Sequence, residues 1–247
     1  MTFRLAVLGD IHGNVAALDA ALAAIERVRP DAVAVTGDLV MNGPRPAEVV
    51  ARIRTLEQAG ALVVQGNTDI AAADLDMSAA FPWLEEVPAG HRAAATWAHE
   101  ALAPADLDLL RRLPAERRLR VGDDLVLICH GSPGSQTEGL AADLDAAVTV
   151  QRITRTDARV IVCGHTHVAE TRDYGRRLIV NPGSCGYSFD GNADAAWALV
   201  TFEDEAITAD LRRASYDPFP MAEEVAARGL PGDVYRAATI RTGRFVR

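Results

Sequence analysis

Six apolar runs punctuate the chain, and each stops in the same way. RLAVLGDIH (4–12), AVAVTGD (32–38), ALVVQGN (61–67), LVLICHG (125–131), VIVCGHTH (160–167) and LIVNPGS (178–184) all pass from aliphatic residues to a glycine or other turn former beside a polar residue. Continuous Val, Ile, Leu and Ala runs of this length suit strands buried on both faces, in sheets covered by helices. Between the first three runs the apolar residues fall into helical period. Val15, Leu18, Leu22, Ile25 and Val28 form one set; Val49, Val50, Ile53 and Leu56 form the next, behind a Pro46 that suits a first helical turn. The opening half therefore predicts βαβαβ, with right-handed crossovers, parallel strands and ligands gathered beyond the strands' carboxyl ends.

From about 68 to 118 the pattern turns helical and irregular, cut by Pro82, Pro88, Pro104 and Pro114, and reads as a helical insertion or cap. Residues 139–156 read as another helix. From 206 onward ITADLRRASY alternates like a strand, and AEEVAARGLPG reads as a helix with a glycine stop, followed by a last short helical piece. We therefore expect a main domain at 1–205 with the cap at 68–118. Residues 206–247 then supply a strand and helices that pack on the core or on a partner subunit. A chain of 247 residues suits one large α/β domain better than two, and it shows no internal repeat.

Composition narrows the class. Hydrophobic residues make up 49% and aromatics only 5%, as expected for an Ala-rich helical layer on aliphatic strands. Even the apolar VAALDAALAAIERV carries Asp19 and Glu26, so no membrane span is expected, and a strand-like run starting at Phe3 leaves no room for a signal peptide. The expected location is the cytoplasm. Cys129, Cys163 and Cys185 form an odd set without CxxC spacing, which suits buried small hydrophobes rather than disulfides or a zinc ribbon. A net charge of -9 repels a nucleic-acid duplex, so an anionic substrate needs a local positive feature, which metal ions supply.

The polar residues at the run ends are Asp10 with His12, Asp38, Asn67, His130, and His165 with His167. Residues two apart on an extended segment face the same way, so each pair can present two donors to one centre. Mixed nitrogen and oxygen donors suit Zn, Mn, Fe or Ni better than Ca or Mg alone. Seven donors exceed one tetrahedral ion, and Asp38 can bridge. Two ions about 3.5 to 4 Å apart, as used for in-line displacement at phosphorus, are the economical interpretation.

DIH at 10–12, GD at 37–38, GN at 66–67, HG at 130–131 and GHTH at 164–167 resemble the five ordered motifs of the calcineurin-like metallophosphoesterase family, over about residues 3–205. The resemblance implies Asp10, His12, Asp38 and His167 on one metal, with Asp38, Asn67, His130 and His165 on the other. Manganese is the first choice, with iron, zinc or nickel as alternatives. It also implies an α/β (α+β) fold, a four-layer αββα sandwich of two mixed β-sheets flanked by helices, where the runs alone give a single sheet. The implied activity is hydrolysis of phosphomonoesters or phosphodiesters, nucleotides included, by a hydroxide held between the metals, with Asp38, Asn67 and His130 central. The implied partner is a small phosphorylated substrate; oligomerisation stays open. The alternatives are a dinucleoside polyphosphate hydrolase or protein phosphatase, and a non-catalytic scaffold like the retromer subunit of the superfamily, against which stand seven intact donors.

Two departures from the family pattern matter. GDLVMNG at 37–43 has Met41 and Asn42 where the protein phosphatases of the superfamily carry Asp and a phosphate-binding Arg, so Arg45 is assigned with Asn67 to substrate binding. Thr68 stands where the fuller family motif has a His that protonates the leaving group. Losing a positioned acid costs about a hundredfold or more for poor leaving groups, which tilts the preference toward activated esters and anhydrides. His91 and His99, eight apart in the cap, read as surface histidines, with one of them a candidate replacement acid. Asp69 and Asn14 read as turn or cap residues, NPGS at 181–184 as a tight turn or a phosphate contact, and RRLPAERRLR at 111–120 as a solvated edge.

Overall fold

Alternate residues of the first strand, β1 (Thr2–Leu8), serve two different cores. Leu5 and Val7 pack toward a second sheet, while Ala6 and Leu8 pack toward helices. The computed structural model describes residues 2–204 and 206–247. After β1 come α1 (Val15–Val28), β2 (Ala32–Val35), α2 (Pro46–Gln58) and β3 (Leu62–Val63), in the βαβαβ order that the periodicity predicts. Asn14 starts α1 by accepting the Ala17 N–H at 3.2 Å, and Arg29 ends it in the left-handed region at φ 49°. Pro46 opens α2, where its missing N–H costs nothing.

Four helices follow where the cap is expected: α3 (Asn67–Asp74), α4 (Met77–Ala80), α5 (Ala89–Glu100) and α6 (Pro104–Arg112). Then come β4 (Glu116–Val121), β5 (Asp124–Cys129), α7 (Ala146–Ile153), β6 (Val160–Val162), β7 (Ala169–Tyr174) and β8 (Arg177–Pro182). The chain finishes with β9 (Ala195–Glu203), β10 (Ala206–Ala214), α8 (Phe219–Arg228) and α9 (Asp233–Thr242). The helix expected over 139–156 is confined to α7, which starts where Asp145 caps the Ala147 and Val148 N–H groups.

The strands form two mixed five-stranded sheets, ordered β10-β9-β1-β2-β3 and β4-β5-β6-β8-β7. In the first, β1 runs parallel to β2 and antiparallel to β9; in the second, β5, β6 and β8 are parallel. The sheets meet across Leu5, Val7, Val126, Ile128, Val162 and Val200, all fully buried. Helices α1 and α2 cover the outer face of the first sheet, and α7 with Leu140 covers that of the second. The fold is thus α/β, two mixed sheets flanked by helices, and the single sheet read from the runs is corrected. An apolar strand buried on both faces looks the same whether helices or another sheet cover its second face.

Beyond the sandwich, β10 pairs with the whole length of β9. Met221, Val225, Ala237 and Ile240 of α8 and α9 pack on Val15, Ala16 and Tyr187, so the tail lies against the chain's own core. Among the described residues no helix is long and apolar enough to cross a membrane. Because Leu5 sits wholly inside the inter-sheet core, Leu5→Ala should lower the free energy of urea unfolding by about 2 to 5 kcal/mol. Arg112→Ala removes only an exposed 2.7 Å ion pair with Glu57 and should cost less than about 1 kcal/mol in the same measurement.

Candidate metal centre

Strands β1, β2, β3, β5 and β6 are each followed within four residues by one of the polar donors. Main-chain bonds lace these strand ends together. The Asp10 N–H donates to the Gly37 carbonyl at 2.9 Å, those of Ile11 and His12 to the Asp38 carbonyl at 2.8 and 2.9 Å, and that of Gly164 to the His130 carbonyl at 2.7 Å. The sequence suggested that Asp10 and His12, and His165 and His167, converge because extended residues two apart share a face. That reason is corrected: Asp10, His12, Asp38, His165 and His167 all take left-handed backbone, at φ 50°, 52°, 52°, 70° and 60°. For side chains with a Cβ this costs about 1 kcal/mol or more each, and such strain gathers where a site over-determines the backbone.

The seven candidate donors form one cluster, six of them buried and His165 half-buried. His12 Nε2 lies 3.1 Å from His167 Nε2 and 3.5 Å from Asp38 Oδ2, and His167 Nε2 lies 3.4 Å from Asp10 Oδ1. The donor atoms of Asp10, His12, Asp38 and His167 all fall within 4.8 Å of one another. A second group shares Asp38. His130 Nε2 lies 3.3 Å from Asp38 Oδ1 and 3.0 Å from Asn67 Oδ1, while His165 Nδ1 lies 3.0 Å from Asn67 Oδ1 and 3.2 Å from His130 Nε2.

Two of the imidazoles are fixed from behind. His130 donates its Nδ1–H to the Thr36 carbonyl at 2.7 Å, and His167 donates its own to the Tyr187 carbonyl at 2.6 Å, so both turn bare Nε2 lone pairs into the cluster. Burial pushes His12 down to about 4; burial, with His130 alongside, does the same to His165, so both rings stay neutral. Burial opposes the ionised form of Asp10, yet the imidazoles, His167 foremost, hold it down to about 2; Asp38 is held low in the same way by His130 and His12. Asp10 draws the His167 ring upward against its burial, while neutral rings at His12 and His165 beside ionised carboxylates are the donor chemistry that divalent metals require, so these residues fit such ions.

The remaining candidates sort by contact. Arg45 is corrected: its guanidinium binds Glu224 at 2.6 and 2.9 Å and Glu48 at 3.0 Å on the surface, held there by two carboxylates. Thr68 is in the site, with its N–H on Asp38 Oδ1 at 2.9 Å and its hydroxyl donated to the Val40 carbonyl at 3.2 Å. Asp69 is a structural clamp that accepts the N–H groups of Leu39, Val40 and Gly66; burial and the neighbouring Asp38 push its carboxyl up to about 7. His99 turns to the Ala72 carbonyl at 2.8 Å, whereas His91 is half-buried and lines the cavity over the cluster. Burial raises the thiols of Cys129 and Cys163, the latter to about 12, and both pack against α7.

That cavity, about 460 Å³, opens directly above His12, Asp38, Asn67 and Thr68. Its walls include Phe81 and Trp83 from the cap, Tyr187 and Phe189 from the loop after β8, and Tyr235 and Phe245 from the tail. None of these rings was a sequence candidate. FPW at 81–83 and GYSF at 186–189 were the available signals, since aromatics are scarce in this chain and these pairs flank turn formers.

Two mixed sheets presenting Asp, Asn and His donors from successive strand ends define a metallophosphoesterase architecture. Residues 3–205 match the calcineurin-like phosphoesterase superfamily domain, and the chain belongs to that superfamily, which points to a hydrolase acting on phosphoester bonds. A metallophosphoesterase from Sphaerobacter thermophilus is 28% identical, with 98% of this chain and 99% of that one aligned at a TM-score of 0.74. A hypothetical protein from Pyrococcus horikoshii OT3 shares the fold at a TM-score of 0.83 and 23% identity over 98% of each chain. An uncharacterized protein of Methanocaldococcus jannaschii is 25% identical over 244 residues, 92% of this chain and 93% of its own length.

The carboxylates sit against bare backbone. A Cβ on Gly66 would stand 2.2 Å from both the N and Oδ1 of Asp38, and one on Gly164 would stand 2.5 Å from Asp10 Oδ2. Gly66→Ala should therefore displace Asp38 and weaken Mn²⁺ binding, read by calorimetric titration, by at least about tenfold. Unchanged affinity would show that Asp38 does not depend on this packing.

Proposed function

We propose that this protein is a binuclear metal-dependent phosphoesterase that hydrolyses phosphomonoesters or phosphodiesters of small molecules. The observation that carries this reading is the convergence of all seven donors, from five strand ends, into one cluster beneath an open cavity. In it, Asp10, His12, Asp38 and His167 would hold one ion and Asp38, Asn67, His130 and His165 the other. Divalent ions, manganese first among them, would supply the Lewis acidity that makes water a nucleophile near neutral pH and offsets charge developing on phosphoryl oxygens.

The chain's own groups do the positioning. Asn67 turns its Oδ1 toward His130 and His165, which leaves its amide N–H groups for a phosphoryl oxygen. Asp38 is held between the Thr68 N–H and two imidazoles, and Asp10 accepts the His165 N–H on both oxygens at 3.1 Å. Thr68 spends its hydroxyl proton on the Val40 carbonyl, so this position gives none to a leaving group, and esters of acidic alcohols or anhydrides are favoured. The three free, buried cysteines suit a reducing compartment, and we place the protein in the cytoplasm.

With added Mn²⁺ the protein should hydrolyse nitrophenyl phosphate mono- or diesters; a folded, metal-loaded sample without turnover would overturn the reading. Asp38→Asn and His165→Ala should each lose bound metal by elemental analysis and lower kcat by about 100-fold or more, beyond the effect typical of supporting residues. The wild type should also favour a nitrophenyl over an alkyl ester by about 100-fold or more, and Thr68→His should narrow that ratio by raising alkyl turnover.

A further inference from the structure

Two chains of aromatic rings start at the donor cluster and line the cavity above it. In one, Phe189 stacks on His167 at 4.2 Å and 21°, and Phe245 follows at 4.9 Å from Phe189. In the other, Trp83 stands edge-on to His165 at 5.7 Å, and Phe81 stands edge-on to Trp83 at 5.7 Å. The two begin on histidines assigned to different metals and end on different parts of the chain, the tail and the cap.

Trp83 and Phe245 are each 53% exposed, although rings of this size are ordinarily buried in a core. Their exposed faces belong to the same cavity, a form in which surface apolar area commonly marks a binding site. The polar side chains Asn42 and Arg236 of the wall are already engaged. Asn42 contacts His12 Nδ1 at 3.2 Å and accepts from Arg236 Nε at 3.3 Å, and Arg236 also donates to Asp233 and to the Gly90 and Pro231 carbonyls. The wall also carries His91, Tyr235 and Arg247, but most of what it offers is aromatic, which a flat ring can cover by its faces and a sugar or a peptide cannot.

We propose, resting on the phosphoesterase reading, that the substrate is a phosphoester whose organic part is a flat aromatic ring, held against Trp83 and Phe245 of the cavity with its phosphate on the donor cluster. Both a nucleobase and an aryl group share this chemistry, and ring stacking tolerates either. The cavity volume suits a ligand of nucleotide size.

Calorimetric titration of the Mn²⁺-loaded protein with the non-hydrolysable phosphonates (CH₂ in place of the ester oxygen) of AMP, phenyl phosphate and ribose 5-phosphate tests this without turnover. At least one ring-bearing probe should bind about tenfold or more tightly than the ribose analogue, and Trp83→Ala and Phe245→Ala should each reduce that ratio to about threefold or less. The AMP analogue ahead of the phenyl analogue assigns a base; the reverse assigns an aryl group. Equal affinity for all three probes, no binding of any, or a ratio unmoved in both variants overturns the inference. Failure to turn over nitrophenyl esters overturns only the underlying catalytic reading, since ring selectivity is measured by binding alone.

Discussion

Burying two carboxylates together is the constraint on which the rest of this structure depends. Asp10 and Asp38 are 0% and 2% exposed, and an ionised carboxylate deprived of water is costly unless charge and hydrogen bonds replace the water. Here four imidazoles face the pair, the His165 and Thr68 N–H groups point at their oxygens, and bare backbone at Gly66 and Gly164 lets the chain close over them. Five of the seven donors, Asp10, His12, Asp38, His165 and His167, hold left-handed backbone, the kind of strain that persists where the surroundings over-determine the chain. A site made this way is built to hold positive charge, which this acidic protein is otherwise short of.

The support extends well past the ligating residues. Asn42 links His12 to Arg236, and Asp233, almost wholly buried, binds Arg236 at 3.0 Å and Arg228 at 2.7 Å. Arg228 in turn donates to the Asn42 and Gly43 carbonyls and lies over the Trp97 ring at 4.4 Å. A buried ion network of this kind is strongly destabilised by losing one member, so helices α8 and α9 are tied to the loop after Asp38 and to the cap at once. The tail beyond the superfamily match thus belongs to the site's architecture as much as the strands do.

Much of this was legible in the chain itself. Each apolar run ended in a turn former beside a potential donor, and all seven of those donors meet in the structure. The number of sheets was not legible from the runs, since Leu5 and Leu8 are equally apolar although one faces a sheet and the other a helix. Nor was the left-handed backbone, because Asp and His enter positive φ more often than most side chains but still seldom, unlike glycine. Arg45 was misplaced because sequence proximity to Asn42 says nothing about Glu224, almost 180 positions later, which captures it. The cavity rings escaped notice for a similar reason: Trp83 and Phe245 obey no period, and only the folded cap and tail bring them to one cavity.

The place of β1 in its sheet carries a further consequence, for the order in which the molecule can be made. β1 lies between β2 and β9, with Thr2 opposite Glu203 and Val7 opposite Ala198. During synthesis one edge of β1 stays open until about residue 203 has emerged, and an open apolar strand edge is a template for wrong partners. The loop carrying Asp10 and His12 cannot be fixed before then, because Cys185 and Gly186 also anchor it, by donating to the Gly9 and Asp10 carbonyls. The nascent chain therefore has α1 to α7 before the strand that closes this edge of the sheet has emerged.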